Sequence, residues 1–190
     1  MRPAVFLDRD GTINEQLGYI NHISRFILLP GVGKAISLLN RNKHIVVVTS
    51  NQSGVARGYF PIELVEETND LMKKELAKDN AYVDAIYFCP HHPDGVLPEY
   101  RMECNCRKPD IGLIEKARSE LDIDMQRSYV IGDRWLDIEF AHNANLPSIL
   151  VLTGYGKGDL EYIVPHKKIK PTFVAEDLSR AVRWILKGNK

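Results

Sequence analysis

Six short apolar runs, spread along the whole chain, constrain its fold more than any other feature. They do not alternate between apolar and polar positions, and such continuous runs are typical of parallel strands that are covered on both faces. The runs are Ala4–Leu7, Ile45–Thr49, Ala85–Phe88, Tyr129–Ile131, Ile149–Leu152 and Thr172–Val174. We therefore expect a mainly parallel sheet.

The segments between these runs carry apolar residues at helical spacing. Helices are predicted over 31–42, 61–78, 110–121, 135–144 and 177–187. Alternating strands and helices predict an α/β fold with a doubly wound, Rossmann-like parallel sheet. One domain should cover residues 1–190. Only residues 89–109, rich in proline, cysteine and histidine, break the alternation, and we call this segment the cysteine loop.

Composition excludes two classes of partner. The 25 basic and 25 acidic side chains give no net charge, so no overall field attracts nucleic acid or a membrane. No apolar run approaches the roughly 20 residues that a membrane helix needs. The N-terminus enters strand-like sequence directly, without a signal-peptide pattern. We expect a cytoplasmic protein with a small-molecule ligand.

The first predicted strand ends at two carboxylates, Asp8 and Asp10. Ligands of doubly wound sheets bind beyond the carboxyl ends of the strands, so this position is a candidate site. Two carboxylates so close together repel each other unless a cation or a shared proton relieves the repulsion. Mg²⁺ suits such oxygen ligands, particularly with a phosphate. The alternative is a surface turn with two solvated aspartates.

Three later segments offer matching chemistry. Ser50, with Thr49 beside it, follows the second strand and could bind a phosphate oxygen, although an ordinary polar loop is equally compatible. Lys108 precedes a proline, which restricts its backbone, and could act as a point charge on a phosphate. Asp133 follows another buried strand and is either a metal ligand or a helix N-cap. Asp137 could orient a ligand or a lysine.

In this order, the four segments resemble the motifs of the haloacid dehalogenase (HAD) superfamily of phosphatases. The motifs are Asp8-Arg9-Asp10-Gly11-Thr12, Ser50, Lys108 and Gly132 to Asp137. The resemblance implies that Asp8 is the nucleophile that forms an aspartyl-phosphate, and that Asp10 is the general acid and base. Ser50 and Lys108 would hold the phosphoryl oxygens. Thr49 is the less favoured alternative to Ser50.

The same resemblance implies a catalytic Mg²⁺. Its ligands would be the Asp8 carboxylate, the backbone carbonyl of Asp10 and Asp133. Asp8 should then remain ionised as the nucleophile, whereas Asp10 should carry the proton.

Within the superfamily, the chain is similar over nearly its whole length to the D-glycero-D-manno-heptose 1,7-bisphosphate 7-phosphatases and to the related histidinol-phosphate phosphatases. The similarity is most specific in Asn51 to Gly58 and in Cys89 to Pro93. It implies that Arg107 contacts a second phosphate. The other implied substrate-binding residues are Gly18, Tyr19, Asn51, Gln52, Ser53 and Arg134.

All three cysteines of the chain lie in the cysteine loop, and this clustering favours a metal over a disulfide in a cytoplasmic protein. The family resemblance gives the ligands of a structural Zn²⁺ as Cys89, His91, Cys104 and Cys106. His92 is the rival of His91. Three unrelated cysteines are the alternative.

The interval between Asp10 and Ser50 is too short for a large cap domain, so the site should be open and the protein a monomer. The favoured function is Mg²⁺-dependent removal of the C7 phosphate of heptose 1,7-bisphosphate, in nucleotide-activated heptose biosynthesis. A histidinol-phosphate phosphatase is the alternative enzyme. A zinc-stabilised binding module without catalysis is the alternative of another class.

Overall fold

The computed structural model describes residues 1–188 and contains one sheet of six parallel strands. The strands are β1 Arg2–Leu7, β2 Ile45–Asn51, β3 Ala85–Cys89, β4 Ile123–Gly132, β5 Ser148–Val151 and β6 Phe173–Ala175. Their order across the sheet is β3-β2-β1-β4-β5-β6. This is the doubly wound order, so the predicted Rossmann-like fold class is confirmed. Residues 189 and 190 of the expected single domain lie outside the described residues.

The helices cover both faces of this sheet. They are α1 Val32–Arg41, α2 Ile62–Ala77, α3 Gly112–Glu120, α4 Trp135–Asn143, the single turn α5 Gly156–Gly158, and α6 Leu178–Leu186. Val5 and Leu7 of β1 pack into a core with α1, α2 and α6. Ala4 and Phe6, which point the other way, pack with α3 and α4. Burial on both faces is why the central strands read as continuous apolar runs.

Two parts of the fold differ from the prediction. Strand β4 begins at Ile123, six residues before the predicted start at Tyr129. The prediction missed the first half of this strand because it is polar and partly exposed. The register against β1 shifts there, and the buried hydroxyl of Ser128 accepts the backbone N–H of Ala4 at 2.8 Å. In addition, residues 156–166 form successive short helical turns that no periodic pattern indicated.

The topological switch point lies between β1 and β4, which are neighbours in the sheet. The chain continues from β1 towards β2 and from β4 towards β5, on opposite sides, so a crevice opens at their carboxyl ends. Residues 8–44, between β1 and β2, contain loops, a short 3₁₀ turn at Ile23–Arg25 and α1. That interval holds no inserted cap domain. None of the helices within residues 1–188 is long and apolar enough to cross a membrane.

Candidate active site at the carboxyl edge of the sheet

A cavity of about 250 Å³ opens at the switch point. Its floor carries Asp8 and Lys108, and its wall includes Ser50. The remaining lining residues are Asp10, Gln16, Gly18, Tyr19, Asn51, Ser53, Arg107, Arg134, Leu136, Asp137 and Tyr155. The structure therefore brings together side chains from four predicted strand ends and from the loop before α1. Polar groups predominate, which suits a small, charged ligand.

Lys108 is the centre of a buried ion-pair network on the cavity floor. Its ammonium donates to Asp8 Oδ1 at 2.7 Å, to Asp137 Oδ1 at 2.6 Å and to the carbonyl of Thr49 at 3.0 Å. These three bonds use all three donors of the ammonium. Burial disfavours the charged form, but Asp137 and Asp8 outweigh it and raise the pKa of Lys108. Asp137 thus orients the lysine, which was one of its two predicted roles.

Burial, together with the neighbouring carboxylates, gives the Asp8 carboxyl an unusually high pKa. Burial raises the pKa of Asp8 to about 7, against the attraction of Lys108, and the charges of Asp137 and Asp10 add to the rise. In the absence of a cation, the expected permanently ionised nucleophile is therefore only partly ionised near neutral pH. A positive charge beside Asp8 would restore its ionised form.

Asp133 shows where such a charge fits. It is fully buried, its Oδ2 accepts the N–H of Tyr155 at 2.8 Å, and its Oδ1 has no hydrogen-bond partner within residues 1–188. Burial, followed by the charges of Asp8 and Asp137, raises the pKa of Asp133 to about 8. Oxygen atoms of these three carboxylates lie within 4.8 Å of one another. An orphaned oxygen in a cluster of hard ligands fits Mg²⁺.

Two glycines make room for this cluster. Gly11 and Gly154 both have positive φ, at 89° and 53°. A Cβ atom on either residue would lie 2.1 Å from Asp133 Oδ2. The hydroxyl of Thr153 also donates to the carbonyl of Gly11 at 2.6 Å. The loop after β5 is therefore part of the site.

The Asp10 carboxylate lies apart from this cluster, in a cage of hydrogen-bond donors. Arg9 and Asn14 donate to Oδ1, at 3.3 Å and 2.9 Å for their closest approaches. Arg9 and Gln52 donate to Oδ2 at 3.0 Å and 2.8 Å. Burial opposes the charge, but these donors, with Arg9 the strongest, lower the pKa of Asp10. These donors therefore stabilise the Asp10 carboxylate in the ligand-free state, whereas the expected role requires this carboxyl to carry a proton.

The carboxyl end of β2, with Gln52 directly after it, divides its side chains between two tasks. Ser50 lines the cavity, whereas Thr49 is fully buried and does not. Asn51 lines the cavity and also brackets Lys108, since its Oδ1 accepts the lysine N–H at 3.0 Å and its Nδ2 donates to the lysine carbonyl at 3.1 Å. Gln52 does not line the cavity. It bridges Asp10 and Ser50 at 2.8 Å each.

Of the predicted substrate-binding residues, only Gln52 is absent from the cavity lining; those present are Gly18, Tyr19, Asn51, Ser53, Arg107 and Arg134. Sequence reasoning missed Gln16, Leu136 and Tyr155 among the lining residues. The ring of Tyr155 lies 5.0 Å from the guanidinium carbon of Arg134. The sequence did contain a signal for this region. Thr153-Gly154 comes after the apolar run of β5, as Asp10-Gly11 comes after the apolar run of β1, so the loop that contains Tyr155 is a comparable strand end.

The cysteine loop brings its four predicted ligands together. Cys89 Sγ lies 3.5 Å from Cys104 Sγ, and Cys104 Sγ lies 3.2 Å from Cys106 Sγ. His91 Nδ1 lies 3.7 Å from Cys89 Sγ and 3.3 Å from Cys106 Sγ. A tetrahedral zinc site, with Zn–S of about 2.3 Å and Zn–N of about 2.0 Å, requires ligand separations of about 3.5–3.8 Å. The two separations from Cys89 lie in this range and the two from Cys106 are slightly shorter, so the Cys3His donor set fits Zn²⁺ with a small outward shift of Cys106.

The rival His92 lies outside this cluster. Its Nε2 is 3.0 Å from an Arg57 nitrogen, and its ring contributes no atom to the four-residue group. Arg107, which follows the last cysteine, donates to the carbonyl of His91 at 3.3 Å and also lines the active-site cavity. The cysteine loop is thus connected to the cavity wall through Arg107.

Comparisons with known proteins place the chain in a family. Residues 105–181 match a family model described as "HAD-hyrolase-like". D-glycero-D-manno-heptose-1,7-bisphosphate 7-phosphatase of Thermosynechococcus vestitus is 42% identical over 97% of this chain and 95% of its own length. D-glycero-beta-D-manno-heptose-1,7-bisphosphate 7-phosphatase of Escherichia coli strain K12 is 44% identical over 80% of each chain.

A solved structure agrees with these relatives. The crystal structure of D,D-heptose 1,7-bisphosphate phosphatase from B. bronchiseptica, complexed with magnesium and phosphate, superposes with a TM-score of 0.85 and is 33% identical. The match covers 98% of this chain and 99% of that one. Sequence identity and fold agree over nearly the whole length. The chain therefore belongs to the heptose 1,7-bisphosphate 7-phosphatase family of HAD hydrolases.

Proposed function

We propose that this chain is a Mg²⁺-dependent phosphatase that removes the C7 phosphate of D-glycero-D-manno-heptose 1,7-bisphosphate, in nucleotide-activated heptose biosynthesis. One observation carries the proposal: Asp8 lines a polar cavity, is paired with Lys108, and lies within 4.8 Å of Asp133, whose Oδ1 has no partner among the described residues. The full-length similarity to named heptose bisphosphate phosphatases supports the substrate.

In the first step, an oxygen of the Asp8 carboxylate attacks phosphorus. The bond between phosphorus and the C7 oxygen breaks, and its electron pair remains on the C7 oxygen, which takes a proton from Asp10. Ser50 donates its hydroxyl to a phosphoryl oxygen during the transfer. Lys108, whose three donors are already used, acts as a positive charge beside the phosphoryl group. Lys108 suits this role because two buried carboxylates keep it protonated.

In the second step, Asp10 removes a proton from a water molecule that attacks phosphorus. The bond between phosphorus and Asp8 breaks, which regenerates the Asp8 carboxylate and releases inorganic phosphate. Asp10 must therefore hold a proton when substrate is bound, although its donors favour the carboxylate in the free protein. The negative charge of an incoming phosphate, close to Asp10, raises the pKa of this carboxyl and favours proton uptake.

The Mg²⁺ ligands that we propose are the Asp8 and Asp133 carboxylates and the backbone carbonyl of Asp10. A bound Mg²⁺ would supply charge neutralisation during the transfer. Asp133 Oδ1 is available for this purpose, since no described residue bonds it. Asp137 is a weaker candidate, because both of its oxygens already accept hydrogen bonds, from Lys108 and from the N–H of Arg134.

The Zn²⁺ ligands that we propose are Cys89, His91, Cys104 and Cys106. Four protein ligands leave no open position, so the ion would be structural. Its role would be to fix the cysteine loop and, through it, Arg107. Burial raises the pKa of the Cys89 and Cys106 thiols, which are close neighbours, and a bound cation would reverse this effect.

Substrate specificity, in this proposal, comes from the two arginines of the cavity wall. Arg107 would bind the C1 phosphate, which the reaction does not remove, because a guanidinium pairs with phosphate through two parallel hydrogen bonds. Arg134 and Tyr19 would contact the sugar, with Gly18, Asn51 and Ser53. Gln52 would act by orienting Asp10 and Ser50. We also propose that residues 1–190 act as one domain, as a monomer and in the cytoplasm.

Phosphate release tests the proposal. The protein should hydrolyse heptose 1,7-bisphosphate in the presence of Mg²⁺, and ³¹P NMR should show loss of the C7 signal with the C1 signal retained. Activity should disappear in Mg²⁺-free buffer that leaves zinc bound. Equal turnover of histidinol phosphate would refute the substrate assignment. Release of the C1 phosphate would refute the proposed orientation of the sugar.

A further inference from the structure

Arg9 is a buried charge that the proposed mechanism does not use. Its side chain is among the largest fully buried ones, with 1% of the residue exposed. On one side, the guanidinium contacts both oxygens of the Asp10 carboxylate, with Nη2 at 3.0 Å from Oδ2. A buried guanidinium is stable only when its donors are satisfied, so its other contacts matter.

On the other side, Arg9 is bonded to helix α2. Its Nη1 donates to Asn69 Oδ1 at 3.1 Å, and Asn69 is itself buried with 6% exposure. Asn69 lies 60 residues from Arg9 in sequence and is absent from the cavity lining. It sits in the middle of α2, whose Met72 and Leu76 pack into the main core. The Arg9 guanidinium thus connects helix α2, which is packed into the core, to the Asp10 carboxylate.

We propose that Asn69 and Arg9 are positioning residues, which hold the Asp10 carboxylate at the place where it exchanges a proton with the leaving-group oxygen. This inference rests on the proposed role of Asp10 as general acid and base. Asn69 fixes the rotation of the guanidinium, and the guanidinium fixes the plane of the carboxylate. Neither residue touches substrate.

The geometry of proton transfer explains why such an anchor matters. Asp10 must lie within about 2.6–3.2 Å of the leaving oxygen when the phosphorus–oxygen bond breaks. Displacement of a catalytic group by about 1 Å can cost about a hundredfold in rate. Asn14 and Gln52 also bond Asp10, but only Arg9 reaches both of its oxygens.

The leaving group provides a readout that a merely structural role would not change. An alkyl sugar phosphate needs a proton on its leaving oxygen, whereas p-nitrophenolate leaves without one. We expect Asn69→Ala to lower kcat/KM for the sugar phosphate about tenfold and to change kcat/KM for p-nitrophenyl phosphate less than about twofold. This ratio reports the first step alone, so the hydrolysis of the shared aspartyl-phosphate does not enter it. Asn69→Asp keeps an acceptor oxygen for Arg9 and should restore the sugar phosphate rate.

Thr68→Ala is the matched control. Thr68 neighbours Asn69 on α2, is equally buried, and bonds only the carbonyl of Leu64, at 2.7 Å. Its loss should affect both substrates alike. If Asn69→Ala does not fold, Arg9→Lys provides the same test, because a lysine keeps the charge but cannot span both Asp10 oxygens. Parallel losses on both substrates in Asn69→Ala or Arg9→Lys would overturn the inference.

Asp10→Asn separates this inference from the mechanism on which it rests. If Asp10 is the general acid, Asp10→Asn must itself lower kcat/KM for the sugar phosphate far more than kcat/KM for the aryl phosphate. Equal losses in Asp10→Asn would refute the proposed mechanism. Selective losses in Asp10→Asn, together with wild-type selectivity in Asn69→Ala and Arg9→Lys, would refute only the positioning role.

Discussion

The active-site cavity and the cysteine loop are assembled in opposite ways. The cavity is lined by side chains from position 8 to position 155, which lie at strand ends and in the loops and helices that follow them. The cysteine loop gathers its four candidate ligands from positions 89 to 106, within one segment. The cavity therefore depends on the core of the whole fold. The loop needs little beyond its own chain and a metal.

The two regions also handle charge differently. On the cavity floor, Asp8 and Asp137 pair with Lys108, and Asp133 lies beside these two carboxylates. Three carboxyl groups can carry more negative charge than one ammonium can neutralise. In the loop, the thiols can remain neutral until a metal binds, so their excess charge arises only with the cation. The comparison teaches that the packed sheet fixes the positions of the charged groups on the cavity floor. The loop has only a few buried side chains to do the same.

Asp8→Asn should give the largest effect and should leave the loop untouched. Without the nucleophile, kcat for any phosphate ester should fall by at least about ten-thousandfold. Zinc content, measured by metal analysis, should remain that of the wild type. Residual activity close to wild type would contradict the assignment of Asp8. A loss of zinc would show that the two regions are not independent.

His91→Ala and His92→Ala test the loop as a matched pair. His91→Ala removes a candidate ligand, so zinc should be lost and the free energy of unfolding should fall by more than about 4 kcal/mol. His92→Ala removes the neighbouring ring, which bonds Arg57 instead, and should keep the zinc. Metal analysis and urea denaturation measure both outcomes. Zinc retained in His91→Ala would indicate that His92, and not His91, is the ligand.

The pH dependence of stability should reveal the charge excess on the cavity floor. Without Mg²⁺, the pKa values of Asp8 and Asp133 lie near 7 and 8 in the folded protein, against about 4 in the unfolded chain. Between pH 4 and 8 the folded protein therefore binds more protons than the unfolded chain. Its free energy of unfolding should fall as pH rises, by up to about 1.4 kcal/mol per pH unit for each proton.

Urea denaturation at several pH values, in Mg²⁺-free buffer with zinc retained, measures this slope. Asp133→Asn removes one of the two groups and should flatten it, and added Mg²⁺ should reverse the loss of stability at pH 8. A slope that is the same in wild type and Asp133→Asn would contradict the proposed source of the effect.

The smallest effect should come from Tyr155, which joins the loop after β5 to the cavity wall. Its ring supports the Arg134 guanidinium, an interaction of about 0.5–1 kcal/mol. Tyr155→Leu should raise KM for the bisphosphate about threefold with kcat nearly unchanged, and Tyr155→Phe should behave as the wild type. Steady-state kinetics separate the two constants. A fall in kcat alone would assign Tyr155 a different role.

Most of the architecture was predictable because the pattern that encodes it is local. Buried parallel strands need continuous apolar runs, and the covering helices need apolar residues every three or four positions, so both are visible in short windows of sequence. The first half of β4 was missed, since residues such as Asp124 and Arg127 are polar and partly exposed. The turns at 156–166 are too short to show a period.

The hydrogen bonds between residues of the site were harder to predict than the identities of those residues. Asp8, Ser50 and Asp133 lie at the ends of recognisable strands, Lys108 precedes a proline in the cysteine loop, and all four were named from the sequence. No spacing rule indicates that Asn69 of α2 bonds Arg9, or that Gln52 lies behind the cavity. Such contacts join residues that are distant in sequence through the packing of a helix on the sheet.

The sequence by itself determined the order of strands and helices, the residues at the strand ends, and the four candidate ligands of the cysteine loop. These features depend on periodicity, on backbone restrictions and on short spacings. Only the tertiary structure decided which oxygen of Asp133 is free, which donors surround Asp10, and that Lys108 is shared between two aspartates. Hydrogen bonding and pKa values depend on distances of a few ångströms between residues as many as 142 positions apart, and those distances exist only after the core has formed.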